Sequence, residues 1–139
     1  MIVFTTDNKR YIDVGSDIVW RSVRYTIHHR LPQFYNEVPL AIDFLKTGRC
    51  SSTNAIKTAR QMNLIRDALS RITPSQAVFN YYNPSEKAPW GDNISEVSTS
   101  CGNLFITSDG KDLLFEIVSL LSYASVTGNE VDSDGLEIE

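Results

Sequence analysis

The feature that most constrains this chain is the stretch 113–124, where apolar side chains occupy almost every side of a would-be helix. Leu113, Ile117, Leu120, Leu121 and Ala124 recur at helical spacing, and Leu114, Phe115 and Val118 widen that stripe. Asp112, Glu116, Ser119 and Ser122 are left for the other side. A helix this apolar must be covered by other elements, so the fold is expected to be built around it. A membrane is not the expected cover, because a spanning helix needs about 20 largely apolar residues and polar side chains interrupt this run. The 139 residues suit one domain around one core.

The rest of the chain supplies that cover. Residues 2–5 and 10–14 read as short strands around the turn signal Asp7-Asn8, a hairpin. Ser16 is placed to cap a helix running to about Arg30, with Asp17 favouring the helix dipole. Its core stripe is Trp20, Val23, Ile27 and Leu31, and Pro32 stops it. A short helix over 40–46 is closed by Gly48. Ser52 or Thr53 then caps a longer helix to about Ser70, with Ala55, Ala59, Met62, Ile65 or Arg66, Leu69 and Ile72 facing inward. Residues 77–82 and 104–107 are rich in aromatic and β-branched side chains and read as strands. Pro84, Pro89 and Gly91 keep the chain between them irregular.

These runs predict an α+β fold, a small antiparallel sheet covered by three to four helices in a single domain over residues 1–126. Residues 127–139 form an acidic C-terminal tail with five acids and no base. It is either an edge strand or partly disordered, and the composition favours partial disorder.

Charge is divided unevenly along the chain. Residues 1–71 hold eleven bases and six acids, whereas residues 72–139 hold two bases and eleven acids. An acidic half repels phosphate backbones and attracts basic proteins. The start Met1-Ile2-Val3-Phe4-Thr5 has no basic leader, so the chain is expected to stay in the cytoplasm, away from membranes. Cys50 and Cys101 are then expected as buried, reduced thiols.

Groups suited to catalysis are few. His28 and His29 are neighbours, and neighbouring helical residues point about 100° apart, so one metal ion is poorly served. Near a helix C-terminus they supply favourable charge instead. A thiol enzyme would have to use Cys101, with Gly102 lending a backbone N–H to an oxyanion, yet no nucleophile signature surrounds it. No phosphate loop is present, since Gly110-Lys111-Asp112 lacks the upstream glycine. The expectation is no catalytic residue, no metal ligand and no cofactor. A nucleic-acid-binding module would use the face Arg21, Arg24, His28 and Arg30 with Tyr25; a solvated helix surface, paired in part with the acidic half, explains the same residues.

Two later segments are more specific. Pro89-Trp90-Gly91-Asp92-Asn93-Ile94-Ser95 combines a fixed approach, a large rigid side chain and a permissive backbone. It is followed by Asn103-Leu104-Phe105-Ile106-Thr107-Ser108-Asp109-Gly110-Lys111-Asp112-Leu113. In this order, across residues 88–124, they resemble the immunity protein 70 family of bacterial polymorphic toxin and contact-dependent inhibition systems. The resemblance implies a cytosolic, non-catalytic antidote that binds and blocks a cognate toxin's C-terminal domain. Many such toxins are nucleases with basic active sites, which gives the acidic half a use. The residues expected to meet the toxin are Glu86, Trp90, Asp92, Asn93, Glu96, Glu130, Asp132 and Asp134. Trp90 serves either as such an anchor or as a lid over the core.

Overall fold

In the computed structural model, the described residues are 2–7, 9–87 and 99–136. Strands β1 (Val3–Thr6) and β2 (Arg10–Asp13) pair as the expected antiparallel hairpin. Asp7 adopts a left-handed φ of 51° in the turn. One of its carboxylate oxygens accepts from the Lys9 N–H at 3.0 Å and the other from the Tyr123 hydroxyl at 2.9 Å. The turn is thereby pinned to the last helix.

Helix α1 (Asp17–Arg30) starts where the sequence places it, with the Ser16 hydroxyl accepting from the Ile18 N–H at 3.2 Å. Trp20, Val23 and Ile27 are fully buried. Pro32 ends α1 and immediately opens α2 (Pro32–Tyr35), as its preset φ and missing N–H suit a first helical turn. Helix α3 (Pro39–Thr47) closes on Gly48, whose φ of 69° is left-handed. A Cβ at Gly48 would also collide with the hydroxyl of Ser133 and with Leu136, so glycine is needed there twice over. Helix α4 (Ala55–Leu69) buries Ala55, Ala59, Met62, Ile65 and Leu69. Its cap is Asn54, not Ser52 or Thr53, because the chain first makes a turn in which Ser51 Oγ accepts from the Asn54 N–H at 3.3 Å. Helix α5 (Leu113–Thr127) is the apolar helix expected over residues 113–124. Asp112 caps it, accepting from the Phe115 N–H at 3.2 Å, and Leu113, Leu114, Ile117, Leu121 and Ala124 are fully buried. No described helix is long and apolar enough to cross a membrane.

The sheet departs from expectation in its membership. Its third strand, β3 (Val131–Asp134), comes from the acidic tail and pairs antiparallel with β1, giving the order β2-β1-β3. The edge-strand alternative therefore holds for these residues, not partial disorder. Val131 is buried and exchanges two backbone hydrogen bonds with Cys50, at 2.9 and 3.0 Å, which outweighs the low strand propensity of the acids.

Neither of the strands expected over residues 77–82 and 104–107 forms. Residues 77–82 instead lie as an irregular strap on α1. The Val78 N–H donates to Thr26 Oγ1 at 2.9 Å, and the Ser22 hydroxyl donates to the Val78 carbonyl at 2.7 Å. Side chains of a helix thus satisfy the backbone that a ladder would have served. Residues 104–107 make one isolated bridge, Ile106 to Asp112, and fold back tightly into α5.

The result is a single α+β domain whose helices cover one face of a three-stranded sheet. Ile2, Phe4, Thr6, Ile12 and Val131 point into the core. The Phe4 ring lies 4.5 Å from that of Trp20 and 5.4 Å from that of Phe44, while the buried indole N–H donates to the Leu45 carbonyl at 3.0 Å. On the other face, cross-strand register aligns Asp13, Val3 and Asp134 in one row and Tyr11, Thr5 and Asp132 in the next. None of these six is buried.

Candidate partner-binding surface

The thiol reading fails on burial. Cys101 is 0% exposed, and its Sγ donates to the Thr73 carbonyl at 3.2 Å. Burial pushes its pKa up to about 12, so it is a thiol and not a thiolate at neutral pH. The Gly102 N–H, which the oxyanion idea required, donates to Ser100 Oγ at 3.1 Å. Cys50 is likewise a buried free thiol with its pKa raised by burial. Among the described residues no group of three or more His, Cys, Asp and Glu side chains is arranged to hold a metal.

The basic face of α1 is spent inside the molecule. Arg24 is only 8% exposed, with its guanidinium 5.2 Å from the centre of the Tyr25 ring. Arg21 is 3.6 Å from Asp17. Arg30 donates to the carbonyls of Gln76 at 3.0 Å and Pro84 at 3.3 Å. His29 Nε2 lies 2.8 Å from the Tyr81 carbonyl, and the Tyr81 hydroxyl lies 3.4 Å from His28 Nε2. Burial first, then the charges of His29, Arg24 and Lys46, lower the His28 pKa. These side chains fasten the strap of residues 76–84 to α1, which explains their composition without a phosphate backbone. Around them the rings of Tyr25, His28, His29, Tyr35, Tyr81 and Tyr82 touch in sequence.

Of the residues expected to meet a partner, four lie among the described ones. Glu86 is exposed just beyond the strap and accepts from the Asn80 side-chain amide at 2.9 Å. Glu130, Asp132 and Asp134 are exposed on and beside β3. Asp132 forms an ion pair with Arg49 at 3.2 Å, both partners well exposed. Trp90, Asp92, Asn93 and Glu96 lie outside the described residues. The structure therefore joins Asp132 and Asp134 on the sheet face that no described helix covers, and places Glu86 on a different element.

That face also brings in residues the sequence reading passed over. Tyr11 is 74% exposed, and Asp13 stands two residues further along the same strand. The alternation in Tyr11-Ile12-Asp13-Val14 already carried the signal, since Ile12 and Val14 are buried while Tyr11 and Asp13 are not. Beside β2, the turn before α5 is held by the Thr107 hydroxyl, which donates to Asp109 and accepts from the Lys111 N–H at 3.0 Å. The bond from Thr107, more than Lys111, keeps the Asp109 carboxyl below its ordinary pKa. From this turn the Ser108 N–H and hydroxyl both donate to the Asp13 carbonyl, each at 3.0 Å. The surface is thus a shallow, polar, largely acidic sheet face bearing one large aromatic side chain. It is suited to holding another macromolecule by charge and shape.

The family model described as immunity protein 70 matches residues 4–132, well beyond the stretch that carries the motif resemblance. No curated protein and no solved structure matches the chain.

Proposed function

The chain belongs to the immunity protein 70 family, and from that premise we propose that it binds and blocks a cognate toxin in the cytoplasm of the bacterium that makes it. The toxin is delivered by neighbouring cells in a polymorphic or contact-dependent inhibition system, and is most simply a nuclease with a basic active site. The chain works by occlusion, without catalysis, cofactor or direct contact with nucleic acid or membrane. Glu86, Glu130, Asp132 and Asp134 contribute the acidic contacts, together with Trp90, Asp92, Asn93 and Glu96.

The observation that carries this reading is the family match across residues 4–132. The excess of acids after residue 71 supports it, because an acidic surface steers capture of a basic partner. Co-expression with the toxin domain encoded by the neighbouring gene is the direct test. Growth should be restored, and the two proteins should purify as a stoichiometric complex. Lack of both protection and complex would overturn the proposal. If the restrained toxin leaves RNA and DNA intact on its own, the nuclease assignment fails while the immunity role stands. Replacing Glu86, Asp132 and Asp134 together by Lys should slow association by about 10-fold at low salt.

A further inference from the structure

The two edges of the sheet are treated differently. At the β3 edge, Val131 is paired with Cys50, and the Ser133 N–H is capped by the Asp132 carboxylate at 2.8 Å. Gly48 also lies against Ser133, so that edge is largely covered, as exposed edges usually are. At the β2 edge the pairing pattern leaves groups open. The Val14 N–H donates to the Ile2 carbonyl at 2.9 Å, so in the shared register Ile12 and Arg10 bond inward to β1. Tyr11 and Asp13 must then present their backbone groups outward. Ser108 satisfies only the Asp13 carbonyl. Among the described residues, the Tyr11 N–H and carbonyl and the Asp13 N–H have no partner.

This open edge borders a groove. Two depressions of about 260 Å³ each share Tyr11, Ile12 and Glu116, and together follow β2 between α5 and the turn before it. The charges along it are already sorted. The Arg10 guanidinium stacks on the Tyr123 ring at 4.0 Å, and Lys111 pairs with Asp109 at 3.6 Å. Lys9 stands at the hairpin end, Glu116 where the two depressions meet, and Asp13 in the depression away from the hairpin end. Asp13 Oδ1 is buried with no hydrogen-bond partner among the described residues. A carboxylate oxygen buried without a donor is costly, and turning the Asp13 carboxylate out to meet a donor in the groove removes that cost.

We propose that this groove takes an extended segment of the toxin as a fourth strand, bonded to the Tyr11 backbone and carrying a lysine or arginine that reaches Asp13 and Glu116. The inference rests on the immunity reading and adds the binding mode. Strand addition draws affinity from main-chain bonds and specificity from alternate side chains, which fits an edge flanked by one aromatic and two acids.

Hydrogen exchange on the full chain, alone and with the inactivated toxin domain from the neighbouring gene, tests it. The Tyr11 and Asp13 amides should slow by at least about 100-fold in the complex. Glu116→Lys, and Ser119→Trp on the helical wall of the groove, should each weaken binding by at least about 10-fold. Thermal unfolding of each variant reports whether its fold is intact, and Glu116→Lys decides the matter if Ser119→Trp does not fold. A complex in which these amides exchange as in the free chain, or which Glu116→Lys forms unchanged, overturns the inference and leaves the immunity role standing. Protection of the same amides by self-association, without toxin, overturns it in favour of a dimer edge. If no complex forms at all, both readings fall.

Discussion

Ser16 and Asp112 cap their helices, and Gly48 terminates α3, because each acts on backbone groups a few residues away. Its place near a helix C-terminus makes His28 a favourable charge in sequence, but its surroundings in the fold oppose that charge. It is packed by Tyr81, which arrives from 53 residues along the chain, and by Tyr35, with His29, Arg24 and Lys46 adding positive charge. Its Nδ1 is buried without a partner among the described residues. Burial and these cations hold its pKa below the ordinary value of 6.5. Between that lowered pKa and 6.5 the unfolded chain binds the proton and the folded chain does not. Stability therefore rises with pH across this window, and is lost as pH falls through it. Thermal unfolding should show a falling midpoint on acidification from about pH 7 to about pH 5, and His28→Gln should flatten that dependence. An unchanged slope in the variant would assign the effect to other groups.

At the scale of elements, helical periodicity found α1, α4 and α5, since each carries an apolar stripe several turns long, and the Gly48 cap marked the shorter α3. The strands were harder. Residues 77–82 have the composition of a strand, and Ala77 and Val78 are buried, but the Val78 backbone is bonded by Ser22 and Thr26 instead of by a neighbouring strand. Composition reports burial and not the identity of the hydrogen-bonding partner. Thr26→Val keeps shape and branching while stranding the Val78 N–H, so it should cost about 1–3 kcal/mol in denaturant unfolding. Ser85, exposed at the end of the strap, offers a control whose replacement by Ala should leave stability within about 0.5 kcal/mol. A null result at Thr26 would mean that the strap is not fastened there.

For the whole molecule, folding partly mixes the basic and acidic halves. Arg66 reaches the Asp112 carboxylate at 3.5 Å, and Arg49 reaches Asp132 at 3.2 Å, each a base of the first half meeting an acid of the second. Such exposed pairs contribute little to stability, and the net charge of −4 still acts on a partner at a distance. Association with a basic toxin should slow by about 10-fold or more between low salt and about 0.5 M salt, with dissociation changing less; stopped-flow mixing measures both. A rate indifferent to salt would remove the steering role of the acids. The sequence by itself determined the α+β class, the first hairpin and the four long helices, because these follow from periodicity and caps within short windows. Only the tertiary structure decided that the acidic tail closes the sheet and that Gly48–Cys50 covers one of its edges. It alone decided that, among the described residues, nothing pairs with the Tyr11 backbone on the β2 edge beside Glu116. Those outcomes depend on pairings such as Thr6 with Glu130, 124 residues apart, and no local pattern says which distant backbone will satisfy which strand.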